Sequence, residues 1–406
     1  MRNDLGTNTN SKGHIGMLVH GYYPGDPRVR REAEALVEAG YEVEVVCLRV
    51  PKPPGIQKEP CQDKVNGVQI YRLQLACRRG GMFRYIFEYL GLIMLGAWKL
   101  TLLHFKNPFQ VVHIHNMPDL LILAGLIPRL MGAKLLLDVH DPMSELYIST
   151  HFIAQRRWIL KAVKWQEKFS CLLAHRVISV SETMRKNLED KGIPPEKIFI
   201  LHNFPDNKYL PIKNDIARWP RHKDGLILLY AGTVTKLYRL DVAIKALALA
   251  SNHLPWIKLL ILGEGSDLDR VLQLANSLGV GKYVEHLNFV SIVKLKDIME
   301  DTDVGISCHQ GGLFGNLQFC SKILDYLTQG LPVVSSRTRT LIRYIPEKAV
   351  FYFEPENAVD MAKQIIKIWN RPDLVRRKME NAKKLFPQYT WQKEKYKLIN
   401  LYKELQ

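Results

Sequence analysis

Residues 321–336, SKILDYLTQGLPVVSS, contain the transition that decides the fold: a helix, an abrupt stop and a buried strand. Gly330 stands where a helix C-terminus favours a residue that tolerates left-handed backbone dihedrals, and Pro332 prevents the helix from continuing. Val333 and Val334 form the short apolar strand. A helix that leads directly into an apolar strand is typical of α/β proteins with a parallel sheet.

The same alternation of apolar strands and helices continues on both sides of this stretch. It runs from His14 to residue 203 and restarts at residue 226, and the segment between them has three prolines and many polar residues. The predicted elements include strands at 42–48 and 111–115 and helices at 118–132 and 240–250. The sequence therefore predicts two Rossmann-like, doubly wound α/β domains facing each other across a ligand-binding cleft. The predicted parts are a flexible tail (1–13), an N-terminal domain (14–203), a linker (204–225), a C-terminal domain (226–385) and a terminal helix crossing back to the first domain (386–406).

The charge balance restricts the classes of partner. The 406 residues include 57 Lys and Arg against 40 Asp and Glu, a formal net charge of +17. Such an excess favours anionic partners, either phosphorylated small molecules or an anionic membrane face. Nucleic acid is not expected, because no zinc-finger spacing, RNA-binding signature or basic tail appears. The six cysteines lack the paired spacing of a disulfide framework or a metal site, which predicts a reduced cytoplasmic protein.

The apolar segment 83–106 allows two interpretations. A transmembrane helix is not expected, because Glu88 and Lys99 interrupt the apolar run. One interpretation is a helix buried in the core, and the other is an amphipathic helix lying on a membrane. The basic residues that flank it are Arg78, Arg79, Arg84 and Lys106.

Three glycine-rich loops follow predicted strands in the C-terminal half, at 230–239, 260–267 and 308–318. A helix N-terminus favours a phosphate group through its unpaired backbone N–H groups, and glycine lets a flat ligand approach the backbone. Together the loops predict a nucleotide site. The candidate residues in them and in the following helix are Gly232, Thr233, Lys236, Arg239, Gly263, Gly265, Gly312, Gly315 and Ser321.

Lys322 and Asp325 lie three residues apart at the start of the helix in the opening stretch. A solvated i, i+3 ion pair would explain them on their own. Their position at the mouth of the predicted nucleotide site favours a functional role, with Asp325 accepting hydrogen bonds from a ribose diol.

Two groups of polar residues in the N-terminal half follow predicted strands. Each group allows a functional and a structural explanation. The structural explanation for the first group is a histidine whose hydrogen bonds are satisfied within the fold, and for the second it is a helix start with solvated arginines. The first group is His140, Asp141 and Glu145, and the second, taken as acceptor-side candidates, is Asp26, Arg28 and Arg31.

The order and spacing of these segments resemble the retaining glycosyltransferases of family 4, which have the GT-B fold. The similarity covers nearly the whole chain, from YYPGDPRVRREAEALVEAGYEVEVV (22–46) through VVHIHNMPDLLIL, DVHDPMSELY and LLILGEGSDLDRV to SKILDYLTQGLPVV. It implies transfer of a sugar with retention, from a UDP- or GDP-type nucleotide sugar to a glycan or lipid-linked acceptor. It also implies that no metal or other cofactor is required. Together with the net charge and the segment 83–106, it predicts a cytoplasmic enzyme, peripheral to the inner face of the membrane, in cell-surface polysaccharide or glycolipid synthesis.

The resemblance also assigns roles to particular residues. Asp325 is placed on the donor ribose, where the family usually has glutamate. Lys322 and His140 are the catalytic candidates, near the diphosphate and the transferred sugar respectively. Asp141 and Glu145 accompany His140 on the acceptor side.

Two positions depart from the family pattern. Leu317 stands where the family usually has its first glutamate, and Asn316 is the candidate to replace it. Leu237 stands where the phosphate-binding arginine is usual, with Lys236 or Arg239 as replacements. Two other functions therefore stay open: a nucleotide-sugar epimerase of the same fold, and an inactive nucleotide-sugar-binding subunit.

Overall fold

The computed structural model describes residues 11–50, 59–75, 82–150, 157–213, 219–254, 256–288, 290 and 292–406. These residues form two compact units. The first comprises the chain up to His202 together with Glu394–Gln406, and the second is Asn203–Lys393. Most of the predicted tail, and Arg78 and Arg79 beside the apolar segment, lie outside the described residues.

The first unit is built on a sheet with eight strands among the described residues, in the order β3-β4-β2-β1-β5-β6-β7-β8. Neighbouring strands are parallel except β3 and β4, which form an antiparallel hairpin. The strands are His14–Tyr22 (β1), Glu42–Leu48 (β2), Gln62–Val65 (β3), Val68–Leu73 (β4), Val111–His115 (β5), Lys134–Val139 (β6), Arg176–Ser179 (β7) and Ile198–Ile200 (β8).

Helices connect these strands, and the first shows how the sequence sets their ends. Asp26 caps it by accepting hydrogen bonds from the N–H groups of Arg28 (2.9 Å) and Val29 (3.2 Å), Pro27 is its first residue, and Gly40 follows its end at φ +93°. The helices of this unit are Pro27–Glu38 (α1), Met82–Lys106 (α2), Leu126–Leu130 (α3), Met143–Ser149 (α4), Arg157–Leu173 (α5) and Glu182–Asp190 (α6).

The second unit has a wholly parallel sheet of six strands among the described residues, in the order β11-β10-β9-β12-β13-β14. The strands are Leu226–Ala231 (β9), Ile257–Leu262 (β10), Val284–Leu287 (β11), Val304–Ser307 (β12), Val333–Ser336 (β13) and Phe351–Phe353 (β14). The helices are Leu240–Ala250 (α7), Leu268–Ser277 (α8), Ile292–Glu300 (α9), Gly312–Gly315 (α10), Ser321–Thr328 (α11), Arg339–Tyr344 (α12), Ala358–Asn370 (α13) and Pro372–Lys383 (α14).

The terminal helix, Trp391–Leu405 (α15), packs on the first sheet. Leu398, Leu401 and Tyr402 are fully buried, and the Tyr402 hydroxyl lies 2.8 Å from Nδ1 of His113 in β5. The apolar side of α15 therefore completes the core of the first unit.

The apolar segment 83–106 forms α2, which is buried on one side only. Leu92, Leu100 and Leu103 are buried, whereas Met94 and Trp98 are exposed. A purely buried core helix is therefore the wrong interpretation. No helix within the described residues is long and apolar enough to cross a bilayer.

Three other segments differ from the sequence prediction. The hairpin of β3 and β4 was not predicted, and residues 118–132, predicted as one helix, contain a 3₁₀ segment, Asp119–Gly125, followed by the short α3. Phe204 and Trp219 of the predicted linker are buried in the core of the second unit, so the described part of 204–225 belongs to that unit. The segment was predicted to be a linker because most of its residues are polar, but these two apolar side chains fix it to the core.

Candidate active site

The first two glycine-rich loops, after β9 and β10, contact each other through their backbones. The N–H of Gly232 donates to the carbonyl of Leu262 (2.8 Å), and the N–H of Val234 donates to the carbonyl of Glu264 (2.9 Å). A Cβ on Gly263 would lie 2.1 Å from the Gly232 carbonyl oxygen. The contact between the loops therefore explains these glycines, which were expected to let a ligand approach the backbone.

The third glycine-rich loop, after β12, contacts the first. The N–H of Gln310 donates to the carbonyl of Leu237 at 3.2 Å. Gly312 has φ +79°, and a Cβ on Gly315 would lie 1.9 Å from the Gln310 carbonyl oxygen. The structure thus brings all three loops together at the carboxyl ends of β9, β10 and β12, as expected for a ligand site in a parallel sheet.

Helix α11 begins at this edge with Ser321 and Lys322. The Lys322 amine occupies the space where a side chain at Gly232 would begin. Its charge therefore lies at the end of β9, close to the loop that follows this strand. Asp325 is one turn further along and partly buried.

Arg239 is held by acidic side chains of its own unit. Its guanidinium contacts both carboxylate oxygens of Asp241 (3.0 and 3.2 Å) and one of Glu356 (2.6 Å). Its backbone is left-handed, with φ +43°, a conformation that glycine adopts at lower cost than arginine. These contacts favour a structural role, which leaves the exposed Lys236 as the cation of this loop that can reach a phosphate.

Asn316 also makes contacts that favour a structural role. Its side-chain nitrogen donates to the carbonyl of Gly312 (2.8 Å), and its side-chain oxygen accepts from the N–H of Arg339 (2.8 Å). The amide therefore joins α10 to the start of α12, so a role as replacement for the absent glutamate would require it to release these partners.

Cys320, which the sequence analysis did not select, lies at the start of α11 in a polar cluster. The Ser307 hydroxyl lies 3.4 Å from both Cys320 Sγ and His309 Nδ1. Burial raises the pKa of the thiol, but His309, Lys322 and Ser307 outweigh it, and the pKa falls to about 7. Neither its spacing nor its neighbours in the chain distinguish this cysteine in the sequence.

We expect alkylation of Cys320 to rise with pH around a midpoint near 7, because the thiolate is the reactive form. Iodoacetamide labelling, followed peptide by peptide with mass spectrometry, measures this midpoint, and the exposed Cys61 reports reagent access in the same digest. Cys320→Ser identifies the labelled peptide. A midpoint near the ordinary thiol value of about 8.5 would contradict the cluster's effect.

In the first unit, His140 follows β6 and is oriented by three polar side chains. Its Nε2 lies 3.0 Å from Oδ2 of Asp138 and 3.2 Å from Nδ1 of His115, and its backbone N–H donates to Oδ1 of Asn116 (2.7 Å). His115 Nδ1 lies 3.2 Å from the same Asp138 oxygen. His115 and Asp138 are partners in the register of β5 and β6, which is why residues distant in the chain meet.

Asp138 is fully buried and ionised. Burial alone would raise its pKa, but Arg28, whose guanidinium contacts Asp138 Oδ1, and His140 hold the pKa well below its usual range. An ionised carboxylate only accepts hydrogen bonds, so His140 donates from Nε2 and, when neutral, accepts at Nδ1. Asp138 thus sets the tautomer of His140.

The same buried group has residue types that suit a metal ion. Glu32, His113, His115 and Asp138 offer ligand atoms within 4.8 Å of one another. However, Arg28 contacts Asp138 and, at 3.3 Å, Glu32, so a cation there would lie beside a guanidinium charge. Burial and the nearby Asp138 raise the pKa of Glu32 to about 8, which keeps it protonated at neutral pH. Within the group, Asp138 is bound to Arg28 and His115, whereas Glu32 Oε2, His113 Nε2 and His115 Nε2 are buried without a hydrogen-bond partner among the described residues.

The other acceptor-side candidates lie at several different places in the first unit. Asp26 caps α1, and Arg31 is buried on the same helix. Glu145 is buried and binds Lys191 at 2.7 Å, which joins α4 to the loop after α6. Asp141 lies next to His140, and its carbonyl accepts from the Asn116 side chain (3.1 Å). These contacts favour structural roles for Asp26, Arg28 and Glu145.

Comparison with known families assigns both halves of the chain. Residues 28–208 match the model for Glycosyltransferase Family 4, and residues 211–385 match the model for Glycosyl transferases group 1. No individually curated protein matches the chain in sequence.

Three solved structures illustrate the similarity of the fold. Sucrose-phosphate synthase from Thermosynechococcus elongatus is 18% identical, covers 97% of this chain and 99% of its own, and superposes with a TM-score of 0.76. HepE of Anabaena, in complex with UDP and glucose, is 14% identical over 97% and 100%, with a TM-score of 0.70. WaaG, a glycosyltransferase involved in lipopolysaccharide biosynthesis, is 16% identical over 91% and 94%, with a TM-score of 0.64.

Both units are α/β domains built on predominantly parallel sheets, and the two family models match consecutive halves of the chain. The prediction of a GT-B fold is confirmed. The chain belongs to the glycosyltransferases of family 4, with a group 1 second half, and is a glycosyltransferase.

Proposed function

We propose that the protein transfers a sugar, with retention, from a UDP- or GDP-type nucleotide sugar to a glycan or lipid-linked acceptor in the synthesis of a cell-surface polysaccharide or glycolipid. We place it in the cytoplasm, peripheral to the membrane. The observation that carries the proposal is the Lys322 amine at Gly232, where α11 and the loop after β9 meet. The UDP and UDP-glucose complexes of the similar HepE fold support a nucleotide-sugar donor.

In this proposal the second unit binds the donor. Lys236 and the N-terminus of α11 contact the diphosphate, and Asp325 accepts hydrogen bonds from the ribose. Lys322 stabilises the negative charge that develops on the diphosphate as the sugar departs, a contribution that is larger in the transition state than in the bound donor. This placement of positive charge is the reason we propose that no metal is required.

The first unit supplies His140. With Nε2 bound to Asp138, its Nδ1 is the atom that would accept a hydrogen bond from a hydroxyl of the transferred sugar. Asp138, His115 and Arg28 are positioning residues in this scheme, because they act on the sugar only through His140.

Incubation with a panel of nucleotide sugars tests the function. Transfer releases free nucleotide and forms a glycoside only when acceptor is present, and NMR of the anomeric carbon reports retention. An isomerised donor would establish the epimerase instead, and no turnover with any donor would support the inactive subunit. Because Lys236, Lys322 and the N-terminus of α11 are proposed to neutralise the diphosphate without a metal ion, we expect turnover to be unchanged in excess EDTA.

Asp325→Asn is expected to weaken nucleotide-sugar binding about tenfold or more, because a hydrogen bond to a charged group is worth about 1.5–3 kcal/mol. Asp325→Glu keeps the charge and should bind like the native protein. Isothermal titration with the nucleotide sugar measures both, and melting temperature monitors the fold. Equal affinity in the asparagine variant would assign Asp325 to the helix surface.

A further inference from the structure

One side of α2 presents a continuous row of large apolar side chains. The exposed residues recur every three or four positions, which places them on one face of the helix. They are Phe87, Leu90, Met94, Trp98, Leu102 and Phe105. This row is much longer than the scattered apolar residues of an ordinary protein surface.

Helix α5 presents a second such face, which the sequence analysis did not predict. Trp158 and Trp165, seven residues apart, are 68% and 63% exposed. The charged residues on the exposed side of α5 are all basic. They are Arg157, Lys161, Lys164 and Lys168, and the one acidic residue of the helix, Glu167, is buried and bound to Lys191.

Both helices cover the same face of the first sheet. The crossovers containing α2, α3 and α5 all lead in the same direction along the strand order, from β4 to β5, β6 and β7. Right-handed crossovers that advance in one direction lie on one face of a parallel sheet. Helix α3 packs against α2 and adds the exposed Ile127, Leu130 and Met131.

The basic residues of α5 indicate which kind of partner covers this face. In a symmetric dimer the same patch meets itself, and none of the described exposed residues on α2, α3 and α5 is acidic, so the basic residues of α5 would lack a counter-charge. A bilayer with anionic lipids instead supplies apolar depth for the tryptophans and negative headgroups for the lysines, as amphipathic interfacial helices require.

We propose that the face formed by α2, α3 and α5 docks on an anionic lipid bilayer, with Trp158 and Trp165 at the interface and Lys161, Lys164 and Lys168 on the headgroups. This docking follows from the surface of the first unit and does not depend on the donor or acceptor. It deepens the proposed peripheral location by naming the residues that bind.

Flotation with vesicles of three parts phosphatidylcholine to one part phosphatidylglycerol tests the docking. We expect the full chain to bind these vesicles at low salt, to bind pure phosphatidylcholine vesicles much more weakly, and to dissociate at high salt. Each basic residue near the surface contributes a factor of about five, so the triple variant Lys161→Gln, Lys164→Gln and Lys168→Gln should bind about 100-fold more weakly.

Two further variants complete the experiment. Trp158→Ser with Trp165→Ser should weaken binding at least about tenfold, because it removes the apolar contribution and leaves the charge unchanged. The matched control removes three exposed basic residues from the second unit. It is Lys363→Gln, Arg376→Gln and Lys384→Gln, and it should bind like the native chain.

Two results would overturn the proposal. The first is equal loss of binding in the control and in the α5 lysine variant, which would mean that only net charge matters. The second is a native chain that does not bind vesicles and is a dimer in sedimentation equilibrium, while the tryptophan variant is a monomer. A second copy of the chain would then be the occupant of this face. Since every substituted side chain is exposed, unchanged melting temperatures are expected throughout.

Discussion

Replacing Lys322 with alanine is expected to lower kcat by about 10²–10³-fold while changing the nucleotide-sugar Kd only a few-fold. This magnitude is typical of removing one preorganised group that stabilises charge in the transition state. The amine lies at the end of β9 against Gly232, among the three loops that form the candidate donor site. Steady-state kinetics with the donor found in the panel, together with donor titration, separates the two effects.

Gly232→Ala provides an independent test of the same geometry. A methyl group there would occupy the position of the Lys322 amine, so the charge is retained but displaced. We expect kcat to fall in this variant too, with little change in melting temperature because the end of a lysine side chain moves easily. Lys363→Ala, an exposed lysine on α13, is the matched control. Full activity in both site variants would reduce Lys322 to a solvated helix residue.

Arg28→Met is expected to destabilise the first unit by about 3–5 kcal/mol, the usual cost of leaving a buried carboxylate without its partner. Arg28 is 7% exposed and contacts the fully buried Asp138 and, four residues along α1, Glu32. Chemical denaturation followed by circular dichroism measures the loss. An acceptor-binding Arg28 would instead change the KM for acceptor and leave stability unchanged.

The pH dependence of this loss has a definite sign. Arg28 is the largest influence that lowers the folded-state pKa of Asp138, so this pKa is higher in the variant, and the stability that Arg28 contributes through the ionised carboxylate is lost as pH falls. The deficit should therefore be smaller at pH 5 than at pH 8. Arg185→Met removes a comparable i, i+4 partner of Glu189 at the surface and should cost less than about 1 kcal/mol.

The sequence predicted the helices and strands best where the apolar pattern is strong. The bounds of β2, β5 and α7 match the predicted segments Glu42–Leu48, Val111–His115 and Leu240–Ala250. The hairpin of β3 and β4 was missed because β3 is a four-residue strand at the edge of the sheet, and Val65 is its one apolar residue. Residues 118–132 were misassigned because an apolar periodicity alone does not distinguish an α-helix from a 3₁₀ segment.

The sequence predicted those parts of the candidate site that lie in the loops after strands. The three glycine-rich loops and the start of α11 come together as the parallel sheet requires. His140 was found from its place after a strand, but Asp138 and His115 were not, although His113 and His115 alternate in VVHIH and so share one face of β5. Their contact with Asp138 depends on the register between β5 and β6.

The sequence by itself determined the two α/β units, most of the order of their strands and helices, the family and the residues placed at the ends of the strands, because these follow from local periodicity and motif spacing. Only the tertiary structure decided which charged residues are already paired. Arg239 is held by Asp241 and Glu356, Arg28 by Asp138 and Glu32, whereas the Lys322 amine is placed on Gly232. The physical reason is that the strength of a charge depends on burial and on partners distant in the chain, which strand register and loop packing bring together.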